Sequence, residues 1–237
     1  MLDIEKLIKD YEPNEQAIEL VRSTKVVLLA GITGAGKDTI KKRLLKMPYF
    51  RDIVSHTTRL PRINNGKTEE NGVDYHFIDQ PTAMEMLQKR EFVEAKFVHD
   101  TIYGTSVAEI KLAYDQNKVA ITDIDVQGVA EYEKLSPCGI AIFIVPPTYQ
   151  TWIERLKKRY KTEADFQAEW PKRRQSSIEE LKHALEVPYY HVIINDDLDD
   201  AVQICHEIIE RGDIFSSRDD HARLAARSLL DELEKIH

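Results

Sequence analysis

Cysteine is nearly absent: the 237-residue chain has only Cys138 and Cys205, far apart, with no CxxC spacing and no histidine at metal-ligand spacing. That argues against a disulfide framework and leaves two buried thiols in a reducing compartment as the expectation. An excess of positive charge is also missing. With a net charge of -8, the chain lacks the basic face of a general nucleic-acid binder, so no nucleic-acid polymer is expected as a partner. A local cluster of Arg and Lys can still serve a small anionic substrate. No apolar run is long enough to cross a membrane. The opening "MLDIEKLIKDYEPNE" is acidic and has no continuous apolar core, so it does not read as a signal peptide. A cytoplasmic protein without a membrane partner is expected. Internal repeats and low-complexity segments are absent too.

What is present is an ordinary globular composition, 42% hydrophobic and 31% charged, in a chain able to bury one good core with small inserted subdomains. Ile4, Leu7, Ile8 and Tyr11 have helical spacing that Pro13 interrupts, and a second short helix is expected from Asn14 to Arg22. Short apolar runs follow, at 26–30, 119–124, 140–145 and 191–194, separated by helical stretches. Runs with so little alternation suit strands covered on both faces of a parallel sheet. Between 53 and 118 the pattern changes. "DYHFI" and "EFVEAKFV" alternate, as mixed or antiparallel strands with one wet face do. Residues 151–187 are densely charged and read as helical and mobile. From Ser217 onward, Ala222, Ala225, Ala226, Leu229, Leu230 and Leu233 share one helical face, and the Ser217 to Asp220 spacing is that of a capping box.

"GITGAGKDTI" (31–40) follows directly on "VVLLA". Glycines at 31, 34 and 36 let a backbone curl so that several N–H groups point at phosphate oxygens. A helix beginning near Lys37 adds its positive end, and the Lys ammonium reaches the β- and γ-phosphates. A Ser or Thr normally comes next; here it is Asp38, with Thr39 able to carry the hydroxyl role and Asp38 able to hold magnesium directly or through water. Further on, "SHTTRLPR" (55–62) gathers Ser55, Arg59 and Arg62. Two guanidinium forks suit phosphate oxygens better than lysine does.

These segments sit in a series: "GITGAGKDT", "SHTTRLPR", "GVDYHF", "EFVEAKF", "YGTS", "DIDVQG" and "INDDLDDA". Each alone is weak, but in this order they are highly specific, and the chain resembles a guanylate kinase over residues 25–212. The family is one of P-loop nucleoside monophosphate kinases that make GDP from GMP and ATP. The resemblance implies an α/β fold: a P-loop core with a five-stranded parallel sheet (25–52, 119–150 and 188–212), an inserted mixed-sheet GMP-binding subdomain (53–118) and a helical lid (151–187). Extra helices lie outside it at both ends, 1–24 and 213–237, and their plain reading is packing against the core.

Carried over residue by residue, the resemblance implies that Arg59, Arg62, Tyr75 and Tyr103 hold the GMP phosphate, with Glu69 the matching loop carboxylate. It implies that Glu94 accepts from guanine N1–H and N2, and that Ser55 and Thr105 donate to O6, which together read guanine's Watson–Crick edge. Gly31, Thr33, Gly34, Ala35, Gly36, Lys37, Asp38 and Thr39 would cradle ATP, with Asn195 at its adenine end. Asp123 would touch GMP or join Asp38 and Thr39 around Mg2+. Arg155 and Arg159, four apart on one expected helical face, and Arg173 would act with Lys37 and Arg59 on the transferring group. ATP and GMP or dGMP are the implied substrates, for a monomer or homodimer.

Three departures stand out: Asp38 for the usual Ser, a longer loop "INNGKTE" between Arg62 and Glu69, and Tyr160 where the lid usually has Gly. Two alternatives remain at this point. A ribose 1,5-bisphosphate phosphokinase-like enzyme would share the GKD in the loop. A non-catalytic guanylate-kinase-like interaction module would tend to lose the loop's glycines and Lys, which are all present here.

Overall fold

The structure, a computed structural model, describes residues 4–64, 67–98, 100–136, 139–211 and 217–236, apart from the side chains of Asn64 and Ser217. The chain opens with α1 (Ile4–Lys9) and α2 (Glu15–Ser23), and Asn14 caps α2 by accepting from the Ala17 N–H at 2.8 Å. β1 (Val26–Gly31) runs into the glycine-rich loop and α3 (Lys37–Leu44). A series of short strands follows: β2 (Phe50–Asp52), β3 (His56–Thr57), β4 (Ile63–Asn64), β5 (Lys67–Thr68) and β6 (His76–Phe77). Then come α4 (Gln80–Gln88), β7 (Phe92–Val98), β8 (Thr101–Ser106) and α5 (Val107–Asp115). β9 (Val119–Asp123), α6 (Val126–Leu135), β10 (Ile140–Val145), α7 (Tyr149–Lys157) and α8 (Glu163–Glu186) lead to β11 (Tyr190–Ile194), α9 (Leu198–Arg211) and α10 (Ser217–Lys235).

A five-stranded parallel sheet has the order β11-β10-β1-β9-β2. β1 and β10 are buried at every residue and pair from Val27↔Ile140 to Gly31↔Ile144. That is the unbroken burial their apolar runs require. The strand that no apolar run announced is β2, which reads Phe-Arg-Asp at the sheet edge and pairs with β9 over three residues.

The chain divides into two compact units, one of Met1–Val26, Pro48–Thr122 and Ala130–Gly139, the other of Val27–Met47, Asp123–Val129 and Ile140–His237. The first contains a four-stranded mixed sheet, β6-β3-β8-β7, and the two-stranded β4-β5. Its core is Ala83, Leu87, Phe92, Ala95 and Ile102, and Ile4, Leu7, Ile8 and Tyr11 pack on it. The residues whose spacing marks an amphipathic helix are thus the ones that pack on this cluster. Tyr11 secures it, its hydroxyl donating to the Phe92 carbonyl at 2.6 Å and accepting the Phe92 N–H at 3.0 Å.

In the second unit α10 lies against α8, β10 and β11 and buries Ala222, Ala226, Leu229, Leu230 and Leu233. Each buried leucine stabilises by about 1.5–3 kcal/mol. β11 is an edge strand, and α10 closes its open side chemically as well. Asp219 accepts the Val192 N–H at 2.7 Å, and Arg223 donates to the Tyr190 carbonyl at 2.7 Å and to Asp219 at 2.8 Å. The expected capping box at Ser217 falls on a side chain outside the described residues. Cys205 is buried, and burial pushes its thiol up to about 12; Cys138 lies outside the described residues. Among the described residues, no helix is long and apolar enough to cross a membrane.

The region 151–187 is helical, as its composition implies, with one correction. α7 ends at Lys157, capped by Lys158, and Arg159 lies in the following turn, its N–H on the Leu156 carbonyl at 3.1 Å. Arg155 and Arg159 therefore do not share a helical face, because the helix stops before its next turn is complete.

Candidate functional site

In the second unit β1 ends on Gly31, whose φ is 141°; a Cβ there would collide with the Ile144 carbonyl oxygen of the paired strand. The loop then turns through Gly36, left-handed at φ 100°, which begins α3 with no side-chain cap. The first-turn N–H groups of that helix are left without a side-chain acceptor, the usual setting for an anion. The loop is tied from outside by two donors. Trp152 Nε1–H reaches the Thr33 carbonyl at 2.8 Å, and Asn195 Nδ2–H the Ala35 carbonyl at 2.7 Å. A side chain at Gly36 would strike the Asn195 amide. Asn195, expected at the adenine end of ATP, thus has its buried side chain on the glycine-rich loop itself.

Lys37 donates to the Gly31 carbonyl and, at 3.4 Å, to that of Ile32. Burial pulls its pKa below the ordinary lysine value, while Glu180, Asp123 and Asp38 act to keep it charged and Arg159 opposes them. Asp38 and Thr39 are exposed in the first turn of α3, and Asp38 lies 3.8 Å from Arg159. Asp123, at the end of β9, pairs with Lys41 at 2.6 Å. Burial pushes its carboxyl up, but Lys41 and Lys37 more than offset that and hold it below the ordinary value.

The remaining arginines are held differently. Arg155 donates to the carbonyls of Asn195 at 2.7 Å and Asp196 at 3.4 Å. Arg173 donates to the Tyr160 hydroxyl at 3.2 Å and lies 3.6 Å from Glu169. Its neighbour Arg174 instead reaches the Leu233 carbonyl on α10 at 2.8 Å. Glu180 belongs to no motif. It is seven residues beyond Arg173 on α8, hence on the same face. One of its oxygens accepts from Ser176 at 3.1 Å, and the other is buried without a partner.

In the first unit, β7 and β8 set Glu94 directly opposite Thr105. Glu94 is 6% exposed and accepts the Thr105 N–H at 2.9 Å, while the Thr105 hydroxyl is buried without a partner. Burial raises the Glu94 pKa, opposed by Thr105 and Lys96. The hydroxyl of Tyr132, on α6, is also buried without a partner. Ser55 precedes β3, and its carbonyl accepts the His76 N–H at 2.9 Å.

Arg59 stacks over the rings of Tyr75 at 4.8 Å and Phe77 at 5.6 Å. Tyr75 meets Tyr103 edge-on, with centroids 6.2 Å apart. The terminal nitrogens of Arg59 bind Glu69, and its Nε is buried without a partner. Arg62 contributes its backbone N–H to the same carboxylate at 2.8 Å while its side chain is exposed. The long loop between Arg62 and Glu69 folds as the antiparallel pair β4-β5, with Ile63 opposite Thr68, and returns the chain so that the Glu69 N–H meets the Arg62 carbonyl at 2.9 Å.

The family model of Guanylate kinase matches residues 23–212. The chain belongs to the guanylate kinase family. Guanylate kinase 1 of Oryza sativa subsp. japonica is 34% identical over 200 residues, 83% of this chain and 49% of that protein, so the chain spans about half the length of that relative. Guanylate kinase of Rickettsia bellii is 32% identical over 185 residues, 78% of this chain and 92% of that protein. Guanylate kinase from Anaplasma phagocytophilum shares the fold, with a TM-score of 0.60 at 23% identity over 82% of this chain and 89% of that one.

Within this guanylate kinase family member, α10 lies beyond the family region, which ends at residue 212. Tyr160 accepts from Arg173 and packs edge-on against Phe166 at 5.7 Å. Sequence motifs passed over Glu180 and Lys96. Spacing alone marks both, Glu180 at seven residues from Arg173 on a helix and Lys96 at two from Glu94 on a strand.

Proposed function

We propose that the chain transfers the γ-phosphoryl group of ATP to GMP or dGMP, giving ADP and the nucleoside diphosphate. The observation that carries the choice of acceptor is the Glu94–Thr105 pair: a buried carboxylate opposite a buried, unpartnered hydroxyl. Guanine offers two donors and one acceptor on its Watson–Crick edge, the complement of that pair, with Ser55 as a second hydroxyl. Adenine would reverse the pattern and leave buried groups mispaired, which is costly. Arg59, Arg62, Tyr75 and Tyr103 take the acceptor phosphate, with Glu69 fixing the plane of Arg59. Neither alternative read from the sequence is favoured by the family relationship.

No protein base is required, because the attacking phosphate oxygen of GMP is already ionised. The work is electrostatic: two polyanions must meet, and water must be kept from accepting the phosphoryl group. The loop 31–39 holds the ATP phosphates with its N–H groups, and Lys37 exchanges its carbonyl contacts for phosphate oxygens. Asn195 and Trp152 hold the loop in shape. Arg155, Arg159 and Arg173 offer charge to the transferring group.

Magnesium fits this donor set. Among the described residues no group of three His, Cys, Asp or Glu converges, and an ion that takes most of its ligands from phosphates and water needs only one or two carboxylates. Asp38, Thr39 and Asp123 would hold it, and when bound it neutralises β- and γ-phosphate charge. Chromatography of the products from GMP and ATP tests the reading: GDP and ADP in equal amounts are expected, and ADP with inorganic phosphate alone would refute it.

A further inference from the structure

The register of β7 and β8 places Lys96 opposite Tyr103, just as it places Glu94 opposite Thr105. Residues two apart on a strand point to the same side, so these four side chains share one face of the sheet. Thr57 of β3, opposite Tyr103, belongs to that face as well. The face joins the base-reading pair to the tyrosine beside the acceptor phosphate, and Lys96 neighbours both, two residues from Glu94 along β7 and opposite Tyr103.

Glu94 is the most deeply placed charge on this face. As a carboxylate it offers only acceptors; protonated, it gains an O–H donor. Burial favours the protonated form; hydrogen bonding from Thr105 on β8 and, after it, the charge of Lys96 on the same strand oppose it, while Glu131 on α6 adds to it. Tyr132, also on α6, and Tyr11, just beyond the end of α1, feel the Glu94 charge in turn. Lys96 is half-buried and is pulled down to about 8 by burial, with Glu94 and Glu131 keeping it charged. The ammonium and the carboxylate therefore sustain each other.

We propose that Lys96 is a positioning residue that determines specificity in the acceptor half-site, its ammonium being the counter-charge that keeps Glu94 in the acceptor-only form that guanine's two donors require. The proposal rests on the reading of Glu94 as the guanine-recognising group. Without Lys96, Glu94 takes up a proton at higher pH and presents one donor and one acceptor. That pair matches the edge of adenine better than that of guanine. Discrimination against AMP therefore narrows together with the loss of GMP affinity.

Calorimetric titration of GMP, AMP and ATP into the full chain from pH 5.5 to 7.5, with Lys96→Met, Lys96→Arg and Glu94→Gln beside the wild type, tests this. In Lys96→Met the acid limb of GMP binding should move about one unit toward neutrality. GMP affinity at pH 6 should fall about tenfold and recover by pH 7.5, with ATP binding unchanged. Lys96→Arg should titrate like the wild type, and Glu94→Gln should bind GMP weakly with no acid limb. An acid limb in Lys96→Met identical to that of the wild type overturns the proposal, as does a loss of equal size at every pH. If the wild type fails to bind GMP, or Glu94→Gln binds it normally, the reading of Glu94 falls and the proposal falls with it. That failure is recognisable because it does not involve the Lys96 variants.

Discussion

The carboxylate of Glu69 lies across both terminal nitrogens of Arg59, at 2.5 and 2.9 Å. The pair fixes the guanidinium plane over Tyr75 and leaves Nε–H as a buried donor with no partner. Hydrogen bonding from Arg59 holds the Glu69 carboxyl below its ordinary value, with burial opposing. The residues between them include the β4-β5 pair, which brings its own ends together, so the extra length does not separate Arg59 from Glu69.

Replacing Arg59 with Lys keeps the charge but removes the fork, the contact with Glu69 and the buried Nε donor. GMP affinity should fall about tenfold or more while ATP affinity persists. Titration of each nucleotide into Arg59→Lys checks this. An equal fall for ATP would place Arg59 outside the acceptor half-site.

Asp38 adds a negative charge to the first turn of α3, where it suits the helix dipole but repels phosphates unless a cation stands between. Its neighbour at 3.8 Å is Arg159, and both are exposed enough for the pair to be weak. ATP affinity without magnesium should therefore rise in Asp38→Ser, and the wild type should depend more strongly on the metal. Titrations of ATP with and without magnesium compare the two. Equal magnesium dependence would leave Asp38 with a helix-terminal role only.

His56 has its ring 4.6 Å from that of His76 and a buried Nδ1 without a partner. Burial, with His76 adding to it and Glu109 opposing, lowers its pKa from 6.5 to about 4. The folded state thus resists a proton that the unfolded state takes up. This contribution to stability is complete above pH 6.5 and is lost as the pH falls toward 4. His56→Gln should show a shallower decline in Tm over that interval, and parallel Tm profiles would contradict the assignment.

Asp219→Ala removes the acceptor of the Val192 N–H and a partner of Arg223. Leaving that buried donor unsatisfied should cost about 1–3 kcal/mol in urea unfolding. An unchanged midpoint would show that α10 does not secure the edge of the sheet.

Much of this was legible in the chain because burial leaves a pattern. "VVLLA" and "IAIFIV" show no alternation since both faces of β1 and β10 are covered. β2 is too short to show a period, and it carries Arg51 and Asp52. The end of α7 was hidden because Lys158 to Tyr160 do not differ in propensity from the helix before them; hydrogen bonds at the C-cap set the stop. The motifs marked Arg59, Glu94 and Lys37, but not how they are held. Asn195 on Ala35 and Glu69 on Arg59 are tertiary relations, and only the closure of the loops reveals them.

The central claim, a kinase that selects guanine through Glu94, is tested most directly by coupled ATP consumption with GMP, dGMP, AMP, UMP and ribose 1,5-bisphosphate, using the wild type and Glu94→Gln. The wild type should turn over GMP far faster than AMP or UMP. Glu94→Gln should lose about 1–3 kcal/mol in transition-state binding for GMP, read as kcat/KM. Preference for ribose 1,5-bisphosphate, or GMP turnover that is indifferent to Glu94→Gln, would contradict it.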